Sequence, residues 1–265
     1  MKKFLTHAFL IIVSLFSIFP FIWIAISATN TSIDVISGKL TPGTQFFNNI
    51  NVAFNQFDIW TNFTNSVIIT FFTVLLTLLV TSIAAYYFSI NNSLSSKKVF
   101  GIMIASMMVP FFGQLVYLFI IVSKAGFSNS YIGAILPIVA NTYIMFFLKQ
   151  SFDSYPHDIF ESAKIDGLTD LQIFYKILLP SSKNIFSATT IILFLNVWNS
   201  YLWPLIVLQS PEKYTLPVLA ASSASGYNPD YGAIMIILIV STIPSLLVFF
   251  ALQKSFVQGI GGALK

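Results

Sequence analysis

Within the long apolar stretches of this 265-residue chain, the side chains able to do chemistry are few and neutral. They are the carboxamides Gln114, Asn141, Asn196 and Asn199, and a row of hydroxyls, Ser66, Thr70, Thr73, Thr77 and Thr81, on one helical face. A carboxamide both donates and accepts hydrogen bonds, which suits a hydroxyl-rich solute. Small polar residues also collect where helices pack in a membrane, so a solute path and interhelical packing are both open for these positions. Phe194, Trp198 and Trp203 offer ring faces to a sugar, or equally to packing or an interfacial belt. Reactive constellations are missing. His7 and His157 lie in separate regions and make no metal pair, and the acids sit in loops and not face to face across a span, so neither a metal site nor a catalytic residue is expected. Lys39-Leu40-Thr41 follows Gly38 but lacks the upstream glycine-rich cradle of a phosphate-binding loop, so no nucleotide or other cofactor is expected in this chain. An enzyme is unsupported. The apolar stretches carry no charged side chain, which disfavours an ion-coupled carrier and an anionic solute.

Those amides must be positioned by elements that live in lipid. Hydrophobic residues make up 56% of the chain and charged residues 8%, against roughly a quarter charged in soluble domains. Runs free of Asp, Glu and Lys cover residues 8–33, 59–96, 99–123, 125–148, 184–211 and 231–253. About 20 residues at 1.5 Å each cross the hydrocarbon, so each run spans once. The expectation is an all-α membrane protein, a single domain over 1–265. Its spans are expected near 8–29, 64–90, 99–123, 131–150, 184–208 and 231–253. Continuous apolar runs, without alternation, argue against a β-barrel. The absence of cysteine leaves the redox compartment unread.

All 13 basic residues are lysines, and they flank the spans instead of forming a stripe, so nucleic acid is not an expected partner and membrane lipid is. Ten lysines fall on the side of both termini and three on the other, which places the termini and the 149–183 segment in the cytoplasm. Trp23, Trp60, Tyr86, Tyr87, Trp198 and Trp203 lie near expected span ends, as an aromatic belt would have them. The outer loop 209–230 holds Pro211, Pro217, Gly226 and Pro229 and a run of small residues, so it is expected to be extended and either to reach a soluble partner or to act only as a connector.

The cytoplasmic loop 151–183 is the most soluble-looking part of the chain. Pro156 opens a helix that Asp166-Gly167 ends, and Thr169 with Gln172 forms a capping box for a second helix that stops before Pro180. Phe160, Ala163 and Gly167, then Leu171, Phe174 and Leu178, make apolar stripes ringed by Glu161, Lys164, Asp166 and Lys176. This helix-turn-helix is read as an amphipathic knob for a groove on a cytoplasmic partner, or as a helix lying on lipid.

The run Glu161-Ser162-Ala163-Lys164-Ile165-Asp166-Gly167, followed by Phe174, Ile177, Leu179 and Pro180, resembles the EAA loop of permease subunits in ATP-binding cassette importers. Further stretches resemble the carbohydrate branch with maltose-type, six-helix permeases. They are Asn65-Ser66, Ala85-Tyr86, Met108-Val109-Pro110, Trp198-Asn199, Trp203-Pro204-Leu205, Tyr214-Thr215-Leu216-Pro217 and the tail 253–265. Ser162 and Asn184 depart from the pattern, standing where alanine and a second proline are usual. The resemblance implies a type I importer permease fold in a bacterial cytoplasmic membrane. It implies a sugar or oligosaccharide permease forming half of the translocation path, with a second homologous permease, two ATPase subunits carrying ATP and Mg, and an extracytoplasmic solute-binding protein. Residues 153–180 would dock an ATPase, with Glu161, Ala163, Asp166, Gly167 and Phe174 in the coupling role. Tyr214, Thr215, Leu216, Pro217, Gly226 and Tyr227 would meet the binding protein, and the Gly259-Ile260-Gly261-Gly262 tail would extend toward the ATPases. Two rivals are a self-sufficient secondary carrier or channel for a neutral polar solute, and a scaffold without a solute path.

Overall fold

The structure, a computed structural model, describes residues 2–91 and 93–263, without the side chains of Lys2, His157 and residues 254–263. The Gly259–Gly262 stretch expected to reach toward the ATPases continues the last helix, Tyr231–Ala263, whose backbone runs helical to its end. Among the described residues there is no strand. Fifteen α-helices follow one another: α1 Lys2–Ser27, α2 Ser32–Ile36, α3 Phe46–Gln56, α4 Ile59–Ile90, α5 Leu94–Ser106, α6 Phe111–Lys124, α7 Tyr131–Val139 and α8 Thr142–Asp153. Then come α9 His157–Ile165, α10 Asp170–Ile173, α11 Leu179–Ser181, α12 Lys183–Trp198, α13 Leu202–Val207, α14 Leu216–Ala224 and α15 Tyr231–Ala263. A π-helical turn, Phe174–Leu178, joins α10 to α11.

Three helices are long and apolar enough to cross a membrane unbroken: Lys3–Ser27, Ile59–Ile90 and Tyr231–Gln253. Up to three more crossings are bent pairs: α5 with α6 at 103°, α7 with α8 at 41°, and Asp170–Ser181 with Lys183–Trp198 at 81°. The straight spans expected at 99–123, 131–150 and 184–208 are thus each interrupted. The physical reason at the first is Pro110, which holds the preceding backbone out of the helical region. At the third, Asn199–Tyr201 separates α12 from α13.

The residues of the chain group into two compact units, Met1–Thr64 with Tyr214–Pro244, and Asn65–Lys213 with Ser245–Lys265. In the first, the carboxamide of Asn49 donates to the carbonyls of Ala28 and Asn30, both at 2.9 Å. Asp230 caps α15: its Oδ1 accepts from the Ala233 amide at 3.1 Å and from the Ser32 hydroxyl at 3.0 Å. The loop expected to be extended is instead largely helical, because Pro217 sits in the first turn of α14, where a missing N–H costs nothing. Leu216, Val218, Leu219 and Ala220 of that helix are buried.

Gly232 lies against the Asn49 amide: a Cβ there would stand 2.6–2.7 Å from three of its atoms. Gly232→Ala is therefore expected to lower stability by about 2 kcal/mol, the usual cost of overpacking, read as a lower midpoint of thermal unfolding in detergent.

Candidate functional site

The second unit holds a cavity of about 720 Å³, within the range of small-molecule sites, and the breaks in the spans line it. Ser106, Met107, Val109 and Pro110 come from the α5–α6 break, Ala140 and Asn141 from the α7–α8 break, and Ser200 from the segment after α12. Non-helical backbone in a membrane needs partners other than lipid, and protein or a water-filled cavity supplies them.

Side chains meet part of that need and are oriented by it. Gln114 donates through Nε2 to the Val109 carbonyl at 3.0 Å, a group that the break leaves outside the helical ladder, so its own Oε1 remains an acceptor. Asn141 is the N-cap of α8: its Oδ1 accepts from the Ile144 amide at 3.0 Å, which leaves its NH2 as a donor. Asn196 is exposed on the cavity wall, and its side chain makes no hydrogen bond within the described residues. Three of the four expected amides thus meet at one place with complementary free groups. Asn199 does not join them. Its Nδ2 donates to the Leu195 carbonyl at 2.8 Å in the last turn of α12, and the residue is absent from the cavity wall.

No charged side chain lines the cavity among the described residues. Three aromatic residues line it: Trp203, which the sequence analysis named, and Tyr143 and Phe111, about half exposed, which sequence reasoning missed. Pro110 and Pro137 were the signals that could have found these walls, since a proline inside an apolar run marks a break or kink. Of the expected rings, Phe194 and Trp198 lie off the cavity and Trp203 sits in its wall, almost wholly buried. Trp203 is buried and donates through Nε1 to the Ala134 carbonyl at 3.1 Å, and buried Trp198 stacks on Phe194 at 5.6 Å. Neither tryptophan, nor buried Tyr86, belongs to an interfacial belt. The hydroxyl row on α4 is wholly buried and lies off the cavity, with Thr81 bonded to the Thr77 carbonyl at 2.6 Å.

The loop between α8 and α12 forms the expected hairpin. Thr169 and Gln172 make a reciprocal capping box, and α9 ends in a Schellman turn: Gly167 has φ +82°, its amide donates to Lys164 and that of Leu168 to Ala163, both at 3.0 Å. Pro156 is the N-cap and not the first helical residue. The apolar stripes correct the reading of a knob whose oily face meets a partner. Phe160, Ala163, Ile173, Phe174 and Leu178 pack inward on Tyr86, Ile144, Met145, Leu148 and Phe152 of the same chain. Tyr86 meets the Phe174 ring at 5.5 Å and the Phe160 ring at 6.2 Å. Ala163 and Phe174 are therefore buried within this chain, while Glu161, Ser162, Asp166 and Gly167 face outward. The exposed apolar residues at the tip are Ile165, at 87%, and Leu171, at 61%, on either side of the turn that the Lys164–Asp170 ion pair spans at 2.9 Å. In the outer segment, Thr215 and Leu216 are buried, Tyr214 and Pro217 half-buried, and Gly226 and Tyr227 fully presented.

Residues 79–262 match the model of a family described as the binding-protein-dependent transport system inner membrane component. The chain belongs to that family. It is 42% identical over 259 residues to the lactose transport system permease protein LacG of Rhizobium radiobacter, covering 98% of this chain and 95% of that one. It is 31% identical over 257 residues to the arabinooligosaccharides transport system permease protein AraQ of Bacillus subtilis, covering 95% and 92%. Its fold matches a chain of a bacterial ABC transporter involved in import of the acidic polysaccharide alginate, with TM-score 0.85, 22% identity and 96% coverage of each. The resemblance seen in the EAA-like run and the all-α importer-permease fold are both borne out. The wall residues of the cavity are thus those of an inner membrane transport component.

The amide geometry separates structural from free groups in this family member. Asn141→Ala removes the α8 cap and is expected to cost about 1 kcal/mol, whereas Asn196→Ala breaks no bond and should stay within about 0.5 kcal/mol, both read by thermal unfolding in detergent.

Proposed function

We propose that this chain forms half of the path by which a short neutral saccharide crosses a bacterial cytoplasmic membrane, driven by ATP hydrolysis in other subunits. The uncharged cavity with a free acceptor on Gln114 and free donors on Asn141 and Asn196 carries this reading. A saccharide presents hydroxyls that both donate and accept, and the half-exposed rings of Tyr143 and Phe111 suit its apolar faces. The relatives, permease proteins of lactose and arabinooligosaccharide transport systems, point the same way. The wall offers no cation to a uronate.

The full transporter pairs this chain with a second permease, two ATPase subunits that hold ATP and Mg, and an extracytoplasmic binding protein. Lysine placement puts both termini and the 153–180 hairpin in the cytoplasm. There the hairpin tip, Ile165 and Leu171 ringed by Glu161 and Asp166, enters the ATPase, and Ala163 and Phe174 hold the tip rigid from within. On the outer side, Gly226 and Tyr227 are free to touch the binding protein.

Proteoliposomes holding all subunits are expected to take up a neutral disaccharide only with ATP inside, and uptake by this chain alone without nucleotide would contradict the assignment. In the same preparation Ile165→Asp should weaken ATPase association about tenfold or more, since burying one such side chain contributes about 1.5–3 kcal/mol. Asn196→Leu should raise the apparent KM about fivefold for loss of one hydrogen bond.

A further inference from the structure

The docking hairpin begins at the end of α8 and returns to the chain at the foot of α12. Its first residue, Tyr155, is half-buried, with its ring against the apolar core of the hairpin. Its hydroxyl donates to the Ser181 carbonyl at 2.8 Å and accepts from the Ser182 hydroxyl at 3.3 Å. Ser181 and Ser182 are the two residues at which Asp170–Ser181 turns through 81° into Lys183–Trp198.

The other hydrogen bonds at that corner are local. The π turn Phe174–Leu178 precedes it, closed by the Leu179 amide donating to Phe174. The Ser181 hydroxyl donates to Ile177 at 2.7 Å, and the Ser182 amide to Leu178 at 2.9 Å and, more weakly, to Leu179 at 3.3 Å. Every one of these bonds links residues within a turn of each other, and the corner's remaining ties to α8 are apolar: Leu178 and Ile185 in the shared core and Phe186 against the Phe152 ring at 6.2 Å. Among the described residues, the hydrogen bonds that tie the corner to the opposite leg of the hairpin are those of Tyr155. A π turn inside a helix is rare and is found frequently at functional sites.

We infer that Tyr155 is a positioning residue that locks the two legs of the hairpin together, so that movement of the tip turns α12 instead of being absorbed at the Ser181–Ser182 corner. The lock matters for transport because α12 leads straight to the cavity. Leu193, Asn196 and Val197 of this helix line it, about 20 Å from the corner at 1.5 Å per residue. The helix also packs along α8, on whose C-terminal end Tyr155 is carried. A lever hinged at a loose corner delivers little of its stroke; one braced on both legs delivers it as rotation of α12. The inference rests on the proposed docking of this hairpin to an ATPase.

The test is the number of ATP molecules hydrolysed per saccharide imported by the assembled transporter in proteoliposomes. Tyr155→Phe keeps the ring in the core and removes both hydrogen bonds. It is expected to co-purify with the ATPases in native ratio and to hydrolyse ATP, while ATP used per saccharide rises about fivefold or more, the factor attached to one ordinary hydrogen bond. Ser182→Ala, which removes the longer bond alone, should raise the ratio less. An unchanged ratio in Tyr155→Phe overturns the inference. So does a change that appears only together with lost ATPase association or lowered thermal stability, since that would make Tyr155 a folding residue. Failure of the unaltered chain to hold the ATPases would overturn the docking reading on which the lock depends.

Discussion

Inside a hydrocarbon layer a peptide group without a hydrogen-bond partner costs several kcal/mol, and that constraint organises this protein. Spans that remain straight, such as α4, satisfy their backbone internally. Spans that break must bring their loose ends to one place where protein groups or water replace the lost bonds. Here the α5–α6 break, the α7–α8 break and the end of α12 all open on a single cavity. The side chains that repair the breaks are thereby oriented by chemistry: only the NH2 of Gln114 can serve the Val109 carbonyl, and only the oxygen of Asn141 can serve the Ile144 amide. What each amide has left over faces the cavity. A transport path thus arises as a by-product of satisfying interrupted helices.

The cytoplasmic hairpin solves the opposite problem, that of a short element too small to hold itself. Its apolar face is spent on the base of α4 and on α8, and its tip keeps Ile165 and Leu171 exposed among charges. Such an inverted knob is rigid before any partner arrives, which lowers the ordering cost of binding. The same packing places Tyr86 of a spanning helix against Phe160 and Phe174 of the hairpin, so movement of one is felt by the other without an intervening loop.

Much of this was legible in the residues, and the failures have physical causes. Charge-free runs locate the membrane-crossing helices because desolvating a charge is the largest single penalty in lipid. The capping box at Thr169 and the left-handed turn at Gly167 were readable because each depends on two or three neighbouring residues. Facing was not readable. Leu171 and Phe174 look alike on a stripe, yet one points out and the other in, and the inward one meets Tyr86 of α4, far away in sequence. Pro217 and its small neighbours read as an extended loop, because a proline in the first turn of a helix and a proline in a coil look the same. Trp198 and Trp203 sit where a belt would, but nearness to a span end says nothing of whether a ring meets lipid or core. Asn199 was grouped with Asn196 on type alone, and three residues of helix turn it away from the cavity.

The central claim is that the amide-lined cavity between the broken spans is the saccharide path. The chain has no native cysteine, so a single Asn196→Cys substitution reports on that wall alone. In the assembled transporter, the account predicts that a membrane-impermeant maleimide labels this position and that a saturating transported saccharide slows the labelling. Labelling that the saccharide leaves unchanged, or a position that stays unreactive throughout the ATP cycle, would contradict it.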